Sequence, residues 1–430
     1  VVVRGGTLVF ADHVERGDLV VTDGRIEQVG TVDAPVGARE LDAAGCWVGP
    51  SFVDLHTHLR EPGREAAETV ESGARAAAIG GFGAIVAMPN TEPALDSAMA
   101  VGFVIERARN AVVDVAVAGA ITLGREGHRL APMAEMAAMG VRLFTDDGNG
   151  VQDAAMMRRA LEYARGLGVR LAQHCEESSL AADGVMNEGS LSARLGLPGR
   201  PALSEELMVA RDIDLVRLTG ASLHFLHLST ARSVALVQAA RAEGLPVTAE
   251  VAPHHFTLDE SSCENFDPIF KVHPPLRTAV DVAALQQALR TGGVDAVATD
   301  HAPHTAELKD LAFDEAPAGM LGLEHAASLT AMVLGDDPVG LFTLLSRNPA
   351  AIAQLRRADS RPRLGAHGAS LSPGEDANLV IFDPHEQYVV DRATLHSRAT
   401  NTPYDGRSLT GRARHLVVNG RVVVANGQLT

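Results

Sequence analysis

Five short segments of this 430-residue chain carry side chains suited to holding metal ions. They are Asp54-Leu55-His56-Thr57-His58, Phe144-Thr145-Asp146-Asp147-Gly148, Gln173-His174-Cys175-Glu176, His224-Phe225-Leu226-His227 and Thr299-Asp300-His301-Ala302-Pro303-His304. Residues two apart on a strand point the same way, so His56 and His58 can reach one ion. Four histidines and two carboxylates drawn from these segments make a ligand set for a pair of zinc-like sites with positions left open for water. Two cations sharing a hydroxide lower its pKa towards neutrality and supply a hydrolytic nucleophile. The shared bridge has to be a carboxylate, and Asp147 is the best placed. Asp146 beside it is ambiguous, since one of the two can ligate while the other caps a turn or helix.

A lone histidine is usually a surface or satisfied core residue, and the chain has 17 of them. His174 or His227 alone is a weak signal. The full set is specific, because chance would have to place metal-type residues at five strand ends together. His254-His255 looks similar but has no evident role, and is read as structural.

These side chains need a scaffold that brings distant segments to one place. Short apolar stretches at 47–55, 84–88, 113–118, 141–144, 169–172, 223–228, 246–251 and 295–298 read as strands. Near-continuous apolar character suits parallel strands buried on both faces. Ala-rich helical patterns lie between them, as at 154–167, 205–219 and 231–243. Eight such repeats predict an α/β fold, a (β/α)8 TIM-like barrel, whose strand C-termini converge on one mouth. No Gly-x-Gly-x-x-Gly follows the first strand, so an open dinucleotide-binding sheet has no support.

Both ends of the chain look different. Asp23-Gly24 and Asn419-Gly420 each sit between strand-like runs and mark hairpins. The expectation is a small β-sandwich domain formed by both termini: residues 1–49 as its first part, 50–357 as the metal-dependent barrel, 358–430 as its second part. A Pro/Gly-rich stretch at 361–377 reads as the return linker.

Composition narrows the function classes. The net charge is −17, with no Lys/Arg-rich run, which argues against nucleic acid and anionic membranes as partners. Three cysteines are too few and too scattered for a disulfide framework or a Cys-x-x-Cys zinc site. Reduced thiols in a cytoplasmic protein fit better. The glycine-broken stretch 76–89 is shorter than the ~20 residues that span a bilayer, and no signal-peptide pattern is seen at the start.

Taken with Leu59-Arg60-Glu61-Pro62-Gly63, Met88-Pro89-Asn90-Thr91, Pro274-Pro275-Leu276-Arg277 and Asn401-Thr402-Pro403, the strand-end motifs closely resemble the amidohydrolase superfamily and, within it, the class I dihydroorotases. The resemblance covers essentially the whole chain. It implies zinc-dependent, reversible cyclisation of N-carbamoyl-L-aspartate to (S)-dihydroorotate, a step of pyrimidine (UMP) biosynthesis. It implies two Zn2+ per subunit, bridged by Asp147 and hydroxide, with His56, His58 and Asp300 on one ion and His174 and His227 on the other. An aspartate at 147 separates the chain from hydantoinase and allantoinase relatives, whose bridge is typically a carbamylated lysine. Asp300 is implied as the catalytic base and acid.

The same resemblance implies that the substrate is held by His58, Arg60, Asn90, His273, His304 and the backbone of Ala318 and Gly319. His273 replaces the family's usual Asn, and Ala318 its frequent Pro. The segment 305–316 is a candidate lid. A homo-oligomer (a dimer) and a complex with aspartate carbamoyltransferase are the implied protein partners.

Overall fold

The computed structural model describes residues 1–33, 35–356 and 364–430. Among the described residues, eight parallel strands each lead into a helix. They are β1 Phe52–Thr57, β2 Phe82–Ala87, β3 Asp114–Val117, β4 Leu143–Thr145, β5 Arg170–Gln173, β6 Leu223–Phe225, β7 Val247–Val251 and β8 Ala296–Val297. Strands β1–β3 pair in one parallel sheet and β4–β8 in another. A parallel bridge from Gly119 to Phe144 joins β3 to β4, and one from Thr57 to His301 joins β1 to β8. The ring is therefore closed, and the fold is a (β/α)8 barrel carrying a β-sandwich domain built from both termini.

The helices obey local sequence rules. Helix α1 (Val70–Ile79) opens on a capping box between Thr69 and Ser72. Helix α4 (Ala154–Leu167) starts at the N-cap Asp153 and ends at Gly168, whose φ of 67° favours glycine. The other strands are followed by α2 Ala98–Arg107, α3 Met133–Ala138, α5 Ala202–Thr219, α6 Ala231–Ala242, α7 Ala279–Thr291 and α8 Ala326–Leu334.

The apolar run 47–55 is two strands rather than one. Trp47–Pro50 pairs with Thr7–Leu8 and antiparallel with residues 379–382, inside the terminal sheet. At Ser51 the backbone turns to Asn378 O, and at Phe52 it turns to Gly81 O in the barrel. The terminal-sheet ladder runs through Pro50, opposite Leu379, to Ser51, so the division falls between Ser51 and Phe52. The terminal sheet has nine strands, in which Leu379–Val389 lies beside Trp47–Pro50 at the seam between the two ends of the chain. Its core mixes Val3, Leu8, Leu19 and Ile26 with Leu379, Ile381 and Val417. The expected boundary at 357/358 lies outside the described residues, as do positions 361–363 of the expected linker.

One irregularity prepares the site. Asp54 pairs with Ile85 and Thr57 with Ala87, so β1 carries one extra residue there. Such a bulge reverses the in-out alternation. Val53 and Leu55 pack with Ala84, Val86, Ala116 and Ala296 inside the barrel. Beyond the bulge, His56 and His58 also turn inward.

Candidate metal centre

Asp147, just beyond β4, stands at the centre. Its Oδ2 faces His56 Nε2 at 3.4 Å and His58 Nε2 at 3.6 Å. Its Oδ1 faces His227 Nε2 at 3.4 Å and His174 Nδ1 at 3.5 Å. Each carboxylate oxygen thus looks at one histidine pair. The ligand atoms of His56, His58 and Asp147, and those of Asp147, His174 and His227, lie within 4.8 Å of one another. Nitrogens each about 2.0–2.1 Å from a tetrahedral zinc stand about 3.3 Å apart, and His174 Nδ1 is 3.0 Å from His227 Nε2. His56 Nε2 and Asp147 Oδ1 are buried without a hydrogen-bond partner. Buried polar atoms in that state want a ligand. The donor set, its spacing and these orphaned atoms fit two divalent cations.

Asp300 joins from β8. Its Oδ1 is 3.2 Å from His58 Nε2 and 3.6 Å from His56 Nε2, while Oδ2 points away from both towards His254. Burial would raise the carboxyls of Asp147 and Asp300, but the surrounding imidazoles outweigh it and hold both below the usual range. Both are ionised at neutral pH.

The tautomers of the ligand histidines are set from outside. His56 Nδ1–H donates to Glu250 Oε1 (3.0 Å), and His58 Nδ1–H donates to Asn90 Oδ1 (2.8 Å). Each bond leaves the Nε2 lone pair facing Asp147, the arrangement that metal-binding imidazoles require. Asp146 is not at the centre. It accepts Ile121 N–H (2.8 Å), Thr122 N–H (3.0 Å) and the Thr122 hydroxyl, which ties the loop after β3. Buried Asp54 accepts Thr299 N–H (2.7 Å) and the hydroxyls of Thr299 and Thr57, pinning the ends of β8 and β1 together.

Two residues outside the expected set reach the centre. Glu250 on β7 is fully buried and binds His56, His224 Nε2 (2.9 Å) and His227 N–H (3.4 Å) at once. Burial opposes its charge, but His224 and His56 lower its carboxyl to about 2. A glutamate inside the apolar run Val247–Val251 needs buried partners, and that was its signal in the sequence. His254 Nε2 lies 3.8 Å from Asp300 Oδ2 and is otherwise unpartnered. His254 therefore faces the centre, against its structural reading. His255 keeps a structural place, donating from Nε2 to Pro274 O at 2.8 Å.

The other expected residues surround the centre. Arg60 is buried, with Nε donating to Pro303 O at 3.1 Å. Burial and Arg64 lower its pKa to about 10, so it keeps its charge at neutral pH. His304 Nε2 donates to Ala318 O at 2.8 Å and lies 3.5 Å from the Arg60 guanidinium. Gly319 N–H donates to Lys271 O at 2.8 Å. His273 has a buried, unpartnered Nε2. Burial, then Arg200, hold it well below its usual value, and it lies within Coulomb range of His174 and Asp300. The segment 305–316 is mostly exposed but anchored at Phe313 and Ala316, which are buried, and at Lys309, whose Nζ donates to Pro268 O and Pro317 O.

Three of the ten described non-glycine residues with positive φ lie here. Arg60 (φ 59°), His227 (φ 28°) and Asp300 (φ 45°) all take left-handed conformations. Each costs about 1–3 kcal/mol unless its surroundings impose it, and such residues gather at active sites.

Known proteins bear on this geometry. Residues 45–233 match the family model described as dihydro-orotase-like. The chain is 45% identical over 428 residues to the dihydroorotase of Pelotomaculum thermopropionicum, covering 98% of both chains. It is 44% identical over 423 residues to the dihydroorotase of Mycobacterium tuberculosis, covering 96% of both. Among solved structures, a D-hydantoinase (dihydropyrimidinase) from Thermus sp. superposes with a TM-score of 0.84 at 27% identity, over 100% of this chain and 96% of that one. The chain belongs to the dihydroorotase family, within the amidohydrolase superfamily.

Proposed function

We propose that this chain catalyses the reversible cyclisation of N-carbamoyl-L-aspartate to (S)-dihydroorotate and water, in the cytoplasmic synthesis of pyrimidines. The observation that carries the reading is Asp147, with one carboxylate oxygen for each histidine pair, together with Asp300 against His58 and Arg60 bonded to Pro303 in the loop after Asp300. Full-length identity of 44–45% to proteins named dihydroorotase supports the same reaction.

His56, His58 and Asp300 would hold one zinc, His174 and His227 the other, with Asp147 shared. Two zinc ions held there supply positive charge that polarises the ring carbonyl and acidifies water. The protein's own groups do the rest. Arg60 pairs with the substrate carboxylate through its guanidinium, with His304 and Asn90 beside it. His58 and His273 line the substrate side, and the backbone at 318–319 meets the ring.

In hydrolysis, a C–O bond forms from water and the ring C–N bond breaks. Asp300 Oδ2 accepts the proton that water gives up and returns it to the departing nitrogen. Cyclisation reverses the path, and Oδ2 takes the proton from the ureido nitrogen. His254 faces that oxygen and is the group placed to steady it.

Two other readings are weaker. A non-catalytic scaffold for aspartate carbamoyltransferase would not need six ligands kept in register. A hydantoinase-like activity shares the fold, but Arg60 buried at the mouth favours an anionic substrate. Burying an unpaired guanidinium is costly, and a substrate carboxylate relieves that cost. The test is a comparison of dihydroorotate with dihydrouracil and hydantoin. Dihydroorotate should be preferred in kcat/KM by about 10²-fold or more, the effect of one buried charge-assisted pair. Equal or better use of the uncharged rings would overturn the substrate assignment.

No helix among the described residues is long and apolar enough to cross a membrane. Cys46, Cys175 and Cys263 are buried free thiols, which supports a reducing compartment.

A further inference from the structure

The motif Asn401-Thr402-Pro403 has no part in the chemistry above. It lies in the C-terminal part of the chain, between the Leu379–Val389 and Ser408–Val418 strands of the terminal sheet. Yet the Asn401 side chain is buried and reaches the barrel mouth. Its Oδ1 accepts His304 N–H at 3.1 Å. Its Nδ2 donates to Ala302 O and to Gly319 O, both at 3.1 Å. Its backbone carbonyl accepts Leu321 N–H at 3.2 Å. One amide thus ties the loop after β8 to the segment at 318–319.

The stretch that carries Asn401 is itself held at two further points. The Ser397 hydroxyl donates to Glu68, whose carboxylate accepts His301 Nε2–H at 3.2 Å. Tyr404, fully buried, shares a 2.8 Å hydroxyl hydrogen bond with Thr257, in the short helix Pro253–Thr257 that carries His254. The clamp is tight where Asn401 works. A Cβ on Gly319 would come within 2.7 Å of Ala302 Cβ and 2.9 Å of His304 Nε2.

We propose that Asn401 is a positioning residue for substrate recognition, holding His304 and the 318–319 backbone at the spacing that grips the carboxylate and ring. The proposal rests on the reading of those two elements as substrate contacts. The chemistry demands an amide. The position needs one acceptor for an N–H and two donors for two carbonyls, which a primary amide supplies in one plane. A carboxylate there has the acceptor but turns an anion towards two carbonyl oxygens. Asn401 has no hydrogen bond to His56, His58, Asp147, His174, His227 or Asp300, so its effect should fall on binding rather than on metal or on proton transfer.

The experiment uses the zinc-loaded full chain, with Asn401→Asp and Asn401→Ala compared with the parent. Both variants should keep the parent's zinc content. KM for dihydroorotate should rise about tenfold or more, the factor attached to one lost hydrogen bond's worth of binding. The change in kcat should be smaller, and Asn401→Asp should be the worse of the two. The preference for dihydroorotate over dihydrouracil should shrink in step. An unchanged KM in both variants overturns the proposal. So does a parallel fall of kcat and zinc content, or failure of both to fold, since either marks a purely structural role. If the parent protein itself does not turn over dihydroorotate, the functional reading fails instead, and that result is distinct.

Discussion

Asp300→Asn should reduce turnover in both directions by about 10²–10⁴-fold, the usual worth of a positioned general acid–base. The substitution is chosen for its backbone. Asp300 sits at φ 45°, where asparagine is at ease and alanine is strained. The amide keeps the size of the carboxylate and one oxygen for the His58 side. It removes the proton-accepting Oδ2 that points towards His254. Circular dichroism should be unchanged and dihydroorotate should still bind, as an inhibitor of the residual activity. A variant within threefold of the parent's turnover would remove Asp300 from the proton path.

Asp147→Asn should have a comparable effect for a different reason. The two oxygens of Asp147 each serve one histidine pair, at 3.4–3.6 Å. An amide offers an oxygen to one pair and an N–H to the other. The N–H side cannot ligate. Metal content should fall from two ions per chain towards one, and kcat by more than about 10²-fold, as for loss of a main electrostatic stabiliser. Which pair keeps its ion depends on which way the amide turns. Retention of two tightly bound ions together with full activity would show that Asp147 is no bridge.

Much of this arrangement was legible in the sequence because it depends on local order. Strand ends carry their chemistry a fixed distance along the chain, so His56, His174 and His227 could be placed at one mouth from the β/α alternation alone. Helix α4 reads at its full extent because Asp153 and Gly168 cap it. Other features depend on contacts that sequence order hides. The run 47–55 is mostly apolar, and its division at Ser51 is made by two different sheets competing for its backbone.

Asp146 and Asp147 are chemically equal in sequence, and only the loop at 121–122 decides which turns away. His254 looked structural because its partner, Asp300, arrives from the next strand. Asn401 was visible as a motif, but its three partners lie about 80 to 100 residues earlier in the chain.

The most direct test of the central claim is metal reconstitution followed with N-carbamoyl-L-aspartate. The chelated protein should be inactive, and zinc should restore formation of dihydroorotate, with activity reaching its plateau at two ions per chain. Full activity after exhaustive chelation, or a protein loaded with two zinc ions that forms no dihydroorotate, would contradict it.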